Sequence, residues 1–287
     1  MKRNHKIMWA FIALTILVSS LFSTPASVSA AKTPIHDIPM DIMVNGKYLK
    51  TDVDPYVESG TTYVPVRFVG EALQAAVFWN QAANTVIIQK GGTTIELTLG
   101  SKIAKVNGRK ITLAGPAHAR QNRTFVPIRF VSEQLGAQVN WDQFYYTVKI
   151  YKSGITVPSH LTHQRYTEDE IFWLGRIIEA ESSGEPVMGM IAVGNVILNR
   201  VKSPEYPNTI YGVIFDRKYG VQYEPTINGT IYNTPSLDSI SSAKRALRGE
   251  NYVGACLFFF NPRIAQSNWI SQNRRYYKTI ANHDFYL

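Results

Sequence analysis

One glutamate lies on the apolar face of a predicted helix. In the segment IFWLGRIIEAESS, which starts at Ile171, apolar side chains recur with the spacing of one helix face. At about 100° per residue, Glu181 lies about 20° from the centre of that face, and Glu179 lies about 140° away. We therefore expect Glu179 to face solvent and Glu181 to point inward. Burial raises the pKa of a carboxyl group, which makes Glu181 a candidate general acid near neutral pH.

Local signals indicate where this helix begins and ends. Thr167 and Glu170 form a capping-box pattern, in which the threonine side chain accepts from a first-turn amide and the glutamate reaches back. Gly184 suits the position just after the helix, and Pro186 suits the first turn of the next one. These signals predict one helix that carries Glu181 and a second helix directly after it.

The second helix, PVMGMIAVGNVILNRV, is apolar on nearly all sides, which predicts a central buried position. Asn195 and Asn199 lie one turn apart on it, and buried amides need hydrogen-bond partners. Two interpretations stay open. Either at least one amide bonds the substrate or the active-site backbone, with Asn199 as our candidate, or both amides are satisfied structurally.

Four ordered segments of the C-terminal region resemble a known enzyme family. They start at residues 176, 206, 222 and 257 and read RIIEAESSGEPVMGMIAVGNVILNRV, YPNTIYGVIF, QYEPTINGTIY and LFFFNPRIAQSNWI. Together they are similar to the catalytic domain of the spore cortex-lytic enzymes, the cell wall hydrolase SleB/CwlJ family. The resemblance implies a mainly helical, lysozyme-like fold that cuts peptidoglycan glycan strands, typically as a lytic transglycosylase. It also implies that Glu181 is the catalytic acid.

Two departures from the family pattern stand out. The family commonly has Ala-Arg after the catalytic glutamate, whereas this chain has Ser182 and Ser183, which changes the local charge. The N-terminal modules also differ from the helical peptidoglycan-binding domain usual for the spore enzyme. Spore cortex and vegetative wall therefore both stay open as the target.

The number of carboxylates distinguishes two reactions on a glycan strand. A transglycosylase needs one acid, which protonates the leaving oxygen and then serves as the base. An inverting hydrolase needs a second carboxylate about 6.5–9.5 Å away to activate water. Glu185, Asp216 and Glu224 are candidates for that second carboxylate. Glu185 is our candidate second acid, although capping of a helix end beside Pro186 is the simpler account of it.

Substrate contacts are expected from aromatic and amide-rich loops. Aromatic rings suit the apolar faces of sugars, and side-chain amides suit their hydroxyl and acetamide groups. Besides Asn199, the candidates are Gln222, Tyr223, Tyr232, Phe260, Asn261 and Trp269. Each ring has a purely structural alternative, since Phe260 can belong to a core strand and Trp269 can simply pack.

The middle of the chain contains an internal repeat. TYVPVRFVGEALQAAVFWN from Thr62 is answered by TFVPIRFVSEQLGAQVNWD from Thr124, and VNG recurs at 44 and 106, so both pairs share an offset of 62. The sequence of each copy predicts a strand that leads into a short helix, and then a hairpin. The repeats resemble the copper amine oxidase N-terminal-like stalk modules of secreted Gram-positive proteins.

That family name raises the question of a metal site, for which the residues give little support. His36 and His118 occupy non-equivalent repeat positions, and His160 and His163 lie in a linker-like segment. We therefore predict no metal and no cofactor, and we interpret the repeats as spacer or wall-adhesion modules.

The first 30 residues predict a signal peptide. A basic start precedes an apolar segment, and VSA at Val28–Ala30 resembles a cleavage site. An uncleaved membrane anchor is the alternative, and it is the only membrane contact that we expect. The single cysteine, Cys256, excludes intrachain disulfides and lies in an apolar run, so we expect a buried thiol. We expect a secreted protein of a Gram-positive cell wall or spore envelope.

The net charge of +9 is unevenly distributed. Residues 31–164 contain 14 basic and 9 acidic side chains, against 13 and 12 in residues 165–287, so the first of these regions carries +5 and the second +1. A basic secreted module is suited to anionic wall polymers. No nucleic-acid-binding signature accompanies the charge.

The sequence therefore predicts an α+β multidomain protein, in which two small α+β repeats precede a mainly α lysozyme-like catalytic domain. The expected boundaries are residues 1–30 for the signal peptide, 40–151 for the repeats (44–89 and 106–151), 152–164 for a linker and 165–287 for the catalytic domain. Two alternatives to glycan cleavage stay open. An amidase would need a zinc ligand set that one histidine in the domain does not provide, and a non-catalytic wall-binding protein would not need Glu181.

Overall fold

The computed structural model describes residues 38–163, 165–218, 220–265 and 267–287. The predicted signal peptide therefore lies outside the described residues. Within the described ranges, no helix has the length and apolar composition needed to cross a membrane. The described residues belong to one compact unit, which contains both the repeats and the C-terminal domain.

The repeat region, residues 41–151, consists of short strands and two short helices. In chain order the elements are β1 (Asp41–Val44), β2 (Lys47–Tyr48), β3 (Tyr56–Glu58), β4 (Thr61–Pro65), α1 (Val66–Ala72), β5 (Ala76–Asn80), β6 (Thr85–Lys90), β7 (Thr93–Thr98), β8 (Ile103–Val106), β9 (Arg109–Thr112), β10 (His118–Arg120), β11 (Arg123–Pro127), α2 (Ile128–Gln134), β12 (Gln138–Asp142) and β13 (Thr147–Tyr151). Each copy has the predicted order of strand, helix and hairpin, and both hairpins are antiparallel.

The two copies exchange strands and share one core. In one sheet β4 pairs with its repeat counterpart β11, in the order β10-β11-β4-β3. The hairpin of the second copy pairs with the first strand of the first copy, giving β12-β13-β1-β2, while the first hairpin continues into β5-β6-β7-β8-β9. The buried side chains of both copies form a single cluster. The repeats are therefore sequence units but not separate folding units.

Within the segment predicted as a linker (152–164), the described residues 152–163 pack against the repeats. Leu161 is buried in a short 3₁₀ helix (Ser159–Leu161), and its carbonyl accepts from Lys50 N at 2.8 Å. The ring of His163 stacks on Tyr48 with centroids 5.8 Å apart. Leu161, Ile155 and Val157 supply the apolar surface that keeps this segment on the core.

The C-terminal domain is mainly helical. Its elements are α3 (Glu168–Ser182), α4 (Val187–Lys202), α5 (Ile210–Ile214), α6 (Pro225–Asn228), a 3₁₀ turn (Thr230–Tyr232), α7 (Leu237–Leu247), β14 (Phe258–Phe260), α8 (Trp269–Asn273), β15 (Tyr276–Ile280) and β16 (His283–Tyr286). The three strands form one antiparallel sheet in the order β14-β16-β15. The predicted fold class, with repeats followed by a mainly helical domain, is confirmed.

The local predictions for α3 and α4 hold. Thr167 and Glu170 form both halves of the capping box that starts α3, and Ser183 ends the helix just before Gly184. Helix α4 is buried along almost its whole length, as its all-round apolar sequence predicts. Added side-chain bulk at Gly194 would meet Ile178 and Ala246, so this glycine lets α4 approach α3 and α7 closely.

A buried ion cluster fixes the repeats to the C-terminal domain. Asp41, on β1, contacts Lys244 Nζ at 2.7 Å and accepts from Arg248 Nη2 at 2.8 Å, and both partners belong to or follow α7. The Tyr166 hydroxyl donates to the same carboxylate at 2.8 Å. Burial alone would raise the pKa of Asp41, but Lys244 and Arg248 overcome this effect and lower it. Removal of the Asp41 carboxylate, or of its basic partners, would leave a buried charge uncompensated.

Candidate active site

A cleft of about 1240 Å³ opens on the C-terminal domain, with Glu181 in its wall. Its lining comes from the end of α3, from residues between 221 and 233, from β14 and from the residues that lead into α8. The cleft therefore brings together parts of the chain that are up to about 100 residues apart in sequence, as the lining residues Glu179 and His283 show.

Glu181 lies in the last turn of α3 and is partly buried. Its neighbours on the apolar face, Leu174, Ile177 and Ile178, are fully buried. Within the described part of the chain, its carboxyl group has no hydrogen-bond partner. Burial raises the pKa of Glu181 to about 7, with a further increase from the negative charge of Glu224 and an opposing effect of Arg200. An unpartnered carboxyl group with this pKa can donate a proton at neutral pH.

Arg200 lines the cleft and was not predicted as a site residue. Its guanidinium is almost fully buried and donates to Leu257 O at 2.7 Å and to the Tyr223 hydroxyl at 2.9 Å. It also lies over the ring of Tyr206, 4.9 Å from the centroid. A charged residue near the end of an otherwise apolar helix was the signal that could have indicated it.

Gln222 and Tyr223 line the cleft, as the sequence predicts. Tyr223 is buried, and burial raises the pKa of its hydroxyl well above the usual value, so this group stays neutral. Arg200 Nη1 lies 3.4 Å from the side-chain oxygen of Gln222. Arg200 therefore orients the two residues in the lining of the cleft.

Phe260, Asn261 and Trp269 also line the cleft. Trp269 is half exposed, and the guanidinium of Arg274 lies 5.1 Å from its ring centroid. The side-chain oxygen of Asn261 accepts from Arg263 N at 3.0 Å, which leaves the amide nitrogen of Asn261 for another partner. These residues give the wall aromatic faces next to amide groups.

Two predicted substrate contacts are not brought to the cleft. Asn199 donates to Gly254 O and Cys256 O at 2.8 and 2.9 Å, so its amide holds the loop before β14 instead. Asn195 likewise bonds the backbone of Glu250 and Tyr252. Tyr232 is 61% exposed and lies outside the residues that line the cleft. For the two asparagines, the structural interpretation is the one that the packing supports.

The three candidates for a second carboxylate occupy different places. Glu224 lines the cleft with Glu181, whereas Glu185 and Asp216 are absent from the lining. Glu185 is buried and accepts from Asn282 N at 3.2 Å and from its side-chain amide at 3.0 Å. His283 Nδ1 lies 3.6 Å from the same carboxylate. Glu185 therefore secures the turn between β15 and β16 to the start of α4.

The prediction that Glu179 faces solvent is wrong. This residue is half-buried, and its carboxylate accepts from Ser236 N, Ser236 Oγ and Ser239 Oγ at 2.9, 2.7 and 2.7 Å. The first turn of α7 packs against the side of α3 that the helical spacing marked as polar. Such a contact between elements is not encoded in the periodicity of one helix.

The remaining predictions concern cysteine and histidine. Cys256 is buried and free, as expected, and burial raises the pKa of its thiol to about 11. His118 packs among Tyr56, Tyr63 and Phe125 and bonds the Tyr56 hydroxyl. His36 lies outside the described residues. Across the described ranges, no three His, Cys, Asp or Glu side chains are grouped as metal ligands would be.

Two family descriptions match this chain. Residues 43–150 match the copper amine oxidase N-terminal domain, and residues 184–286 match the cell wall hydrolase domain. The cell wall hydrolase CwlJ of Oceanobacillus iheyensis is 33% identical over 115 residues, which cover 80% of that protein and 38% of this chain. On this coverage, the chain belongs to the cell wall hydrolase family through its C-terminal domain.

A longer relative and a solved structure each match a similar share of this chain. The spore cortex-lytic enzyme of Bacillus cereus is 38% identical over 120 residues, or 42% of this chain and 45% of that protein. The chain thus spans less than half the length of this relative. The catalytic domain of the germination-specific lytic transglycosylase SleB from Bacillus anthracis is 36% identical, with a TM-score of 0.40, covering 44% of this chain and all of that domain.

Proposed function

We propose that this protein is a secreted peptidoglycan-degrading enzyme that cleaves the MurNAc–GlcNAc glycan strand as a lytic transglycosylase. The observation that carries the proposal is Glu181, a partly buried carboxyl group in the cleft whose pKa is raised to about 7. The aromatic and amide groups of the cleft supply the contacts that a sugar chain needs. The names of the spore cortex-lytic relatives support the same substrate class.

The reaction needs a proton on the glycosidic oxygen before the bond to C1 can break. Glu181 supplies this proton, since at neutral pH a large fraction of the side chain is protonated. The C1–O bond then breaks, and the aglycone sugar leaves with its new hydroxyl group. Glu181 is now a carboxylate and serves as the base for the next step.

The second step closes a ring within N-acetylmuramic acid. The C6 hydroxyl attacks C1, and its proton returns to Glu181, so that the product is a 1,6-anhydro sugar and no water is consumed. The buried charge of Arg200 favours the carboxylate form of Glu181 between the two steps. Glu224 has the opposite effect and favours the protonated form with which the cycle begins.

The site of action follows from the repeats and the predicted leader. The basic excess of residues 31–164 would attract the enzyme to anionic polymers of a Gram-positive cell wall or spore envelope. The relatives that act on spore cortex suggest a role in germination. Digestion of cortex and vegetative wall side by side tests this choice of target.

The decisive experiment is digestion of purified peptidoglycan by the protein and by Glu181→Gln, with mass spectrometry of the muropeptides. We expect anhydro-muramic ends from the unmodified protein and a loss of at least about 10³-fold in their rate of formation in the variant. Glu205→Gln, an exposed glutamate away from the cleft, is the matched control and should release the same ends at the normal rate. Full activity in Glu181→Gln would refute the proposed role of Glu181.

A muramidase is the second candidate, because Glu224 lines the same cleft as Glu181. In that reaction Glu224 would activate a water molecule, and the products would carry reducing ends. Reducing ends that disappear in Glu224→Gln would favour hydrolysis over transglycosylation. Anhydro ends that persist in Glu224→Gln would favour the single-acid reaction.

A further inference from the structure

Two clefts in the repeat region are related by the internal repeat. The first, which we call the Trp141 cleft, has a volume of about 740 Å³ and is lined by residues 127–129, Val139 and Trp141. The second, the Trp79 cleft, has a volume of about 440 Å³ and is lined by the counterparts 62 positions earlier, residues 65–67, Val77 and Trp79. The strand exchange between the copies therefore builds the same surface feature twice.

Each cleft displays a tryptophan from an edge strand. Trp141 on β12 is 36% exposed and Trp79 on β5 is 46% exposed, and both strands lie at the end of their sheets. The indole nitrogen of Trp141 donates to Gln143 at 2.8 Å, and the ring meets Tyr146 edge-on at 4.8 Å. Trp141 is thus a flat apolar surface that is already held in place in the free protein, which reduces the entropy lost when a ligand binds.

The Trp141 cleft also contains polar groups. Thr61, Thr62, Asn140 and Gln143 line the same cleft, together with the guanidinium of Arg129. Hydroxyl, amide and guanidinium groups around an aromatic face match a sugar ring, which has an apolar face and a rim of hydroxyl and acetamide groups. The chemistry of this cleft therefore resembles that of the active-site cleft, which also combines rings with amides.

The Trp141 cleft approaches the active-site cleft through one short segment. Leu237, the first residue of α7, lines the Trp141 cleft, and Asn233 lines the active-site cleft. Four residues of chain span at most about 14 Å, so these lining residues lie within that distance. Ser236, between them, is fixed by its bonds to Glu179, which also lines the active-site cleft.

Buried ion pairs link the regions that carry the two clefts. The buried contacts of Asp41 with Lys244 and Arg248 join the repeats to the helix that begins at Leu237. A polymer that occupies both clefts would therefore meet a surface of fixed geometry. The lining of the Trp79 cleft includes no residue beyond 124, so that cleft lacks this connection to the C-terminal domain.

We propose that the Trp141 cleft is a remote subsite for the glycan strand, occupied by the sugars that continue beyond the active-site cleft across residues 233–237. This inference rests on the proposed function for the identity of the polymer. The new element is the role of the repeats, which bind the glycan strand as it leaves the active site instead of acting as an inert spacer. The enzyme would consequently prefer long strands to short ones.

Strand length is the variable that tests the subsite. Peptide-free glycan strands of graded length would be titrated against the full chain carrying Glu181→Gln, so that no cleavage occurs during the measurement. We expect Trp141→Ala to weaken binding of long strands about tenfold, as for loss of an aromatic anchor, and to leave binding of tetrasaccharides unchanged. Trp141→Phe should restore most of the affinity.

Trp79→Ala is the matched control, because it removes the same side chain from the repeat-related cleft. It should change the affinity for long strands less than twofold. Equal losses of affinity in the two variants would refute a path for the strand from the active site to the Trp141 cleft. An equal loss of affinity for short and long strands in Trp141→Ala would refute it as well. Unchanged binding of long strands by a Trp141→Ala protein would also refute the subsite.

The binding experiment tests the subsite independently of the proposed reaction. Binding of graded strands does not depend on which products the enzyme forms, so a muramidase would give the same length dependence. Urea unfolding of each variant checks that the native fold is retained. Binding to teichoic acid with no binding to bare glycan would refute the subsite, and would identify anionic polymers as the ligand of the repeats.

Discussion

At the scale of single residues, the pKa of Glu181 decides whether the cleft can supply a proton. Burial and Glu224 raise this pKa to about 7, and Arg200 opposes the increase. Protonated Glu181 is the form that starts the reaction. Activity should therefore be highest below pH 7 and should fall as the pH rises through about 7, where the carboxyl group loses its proton.

Replacement of Glu224 by glutamine tests this electrostatic balance. Glu224→Gln removes a negative charge, which lowers the pKa of Glu181, so the fall in kcat/KM should move to lower pH. The measurement is the pH profile of kcat/KM for the release of soluble muropeptides, with Glu205→Gln as the control. A profile for Glu224→Gln that coincides with the control, or that moves to higher pH, would contradict this prediction.

At the scale of elements, helix ends position the reactive groups. Glu181 is in the last turn of α3, and Glu185 joins the start of α4 to the turn between β15 and β16. Glu179 joins α3 to the first turn of α7. These carboxylates lie at most six positions apart. Glu179 and Glu185 bond to different elements, whereas Glu181 lines the cleft.

Glu185→Gln distinguishes a structural carboxylate from a second catalytic acid. The substitution weakens the bonds to Asn282, so we expect the free energy of unfolding to fall by about 1–3 kcal/mol. The kinds of product should not change. Urea unfolding and muropeptide analysis provide the two readouts, and Glu181→Gln should show the opposite pattern of lost activity with retained stability. A loss of products from a stable Glu185→Gln protein would restore Glu185 as a catalytic candidate.

At the scale of the whole molecule, the repeats and the C-terminal domain form one unit. The carboxylate of Asp41 is buried with Lys244, whose side chain is fully buried. Such a pair resists disruption because each charge would be costly to bury alone. The repeats therefore hold a fixed position relative to the active site, which a flexible stalk would not.

Asp41→Ala tests this coupling. The substitution leaves Lys244 buried without its carboxylate, and we expect the free energy of unfolding to fall by about 3–5 kcal/mol. Asp52→Ala is the matched control, because Asp52 pairs with Arg123 at an exposed position and should cost less than about 1 kcal/mol. Urea unfolding followed by circular dichroism and tryptophan fluorescence measures both. Equal costs in the two variants, or two separate transitions in the unmodified protein, would show that the domains are not coupled.

Much of the local structure was predictable because its determinants are close in sequence. The capping box at Thr167, the buried character of α4 and the hairpins of both repeats depend on residues within a few turns or one hairpin. The orientation of Glu181 followed from the periodicity of a single helix. The offset of 62 likewise predicted two copies with the same order of elements.

The tertiary structure decided which residues meet across long separations. The polar spacing that suggested a solvated Glu179 could not reveal that α7 begins beside it, about 57 positions later. For the same reason Asn199 and Glu185 were candidates for the site although their partners are backbone and turn groups more than 50 positions away. Arg200 was overlooked, since only the folded chain places it beneath Tyr223 and Gln222. The sequence by itself determined helices α3 and α4, the two repeats and the candidate acid. The exchange of strands, the buried Asp41 cluster and the lining of the clefts depended on the tertiary structure, because contacts between distant segments are set by packing and leave no local periodicity.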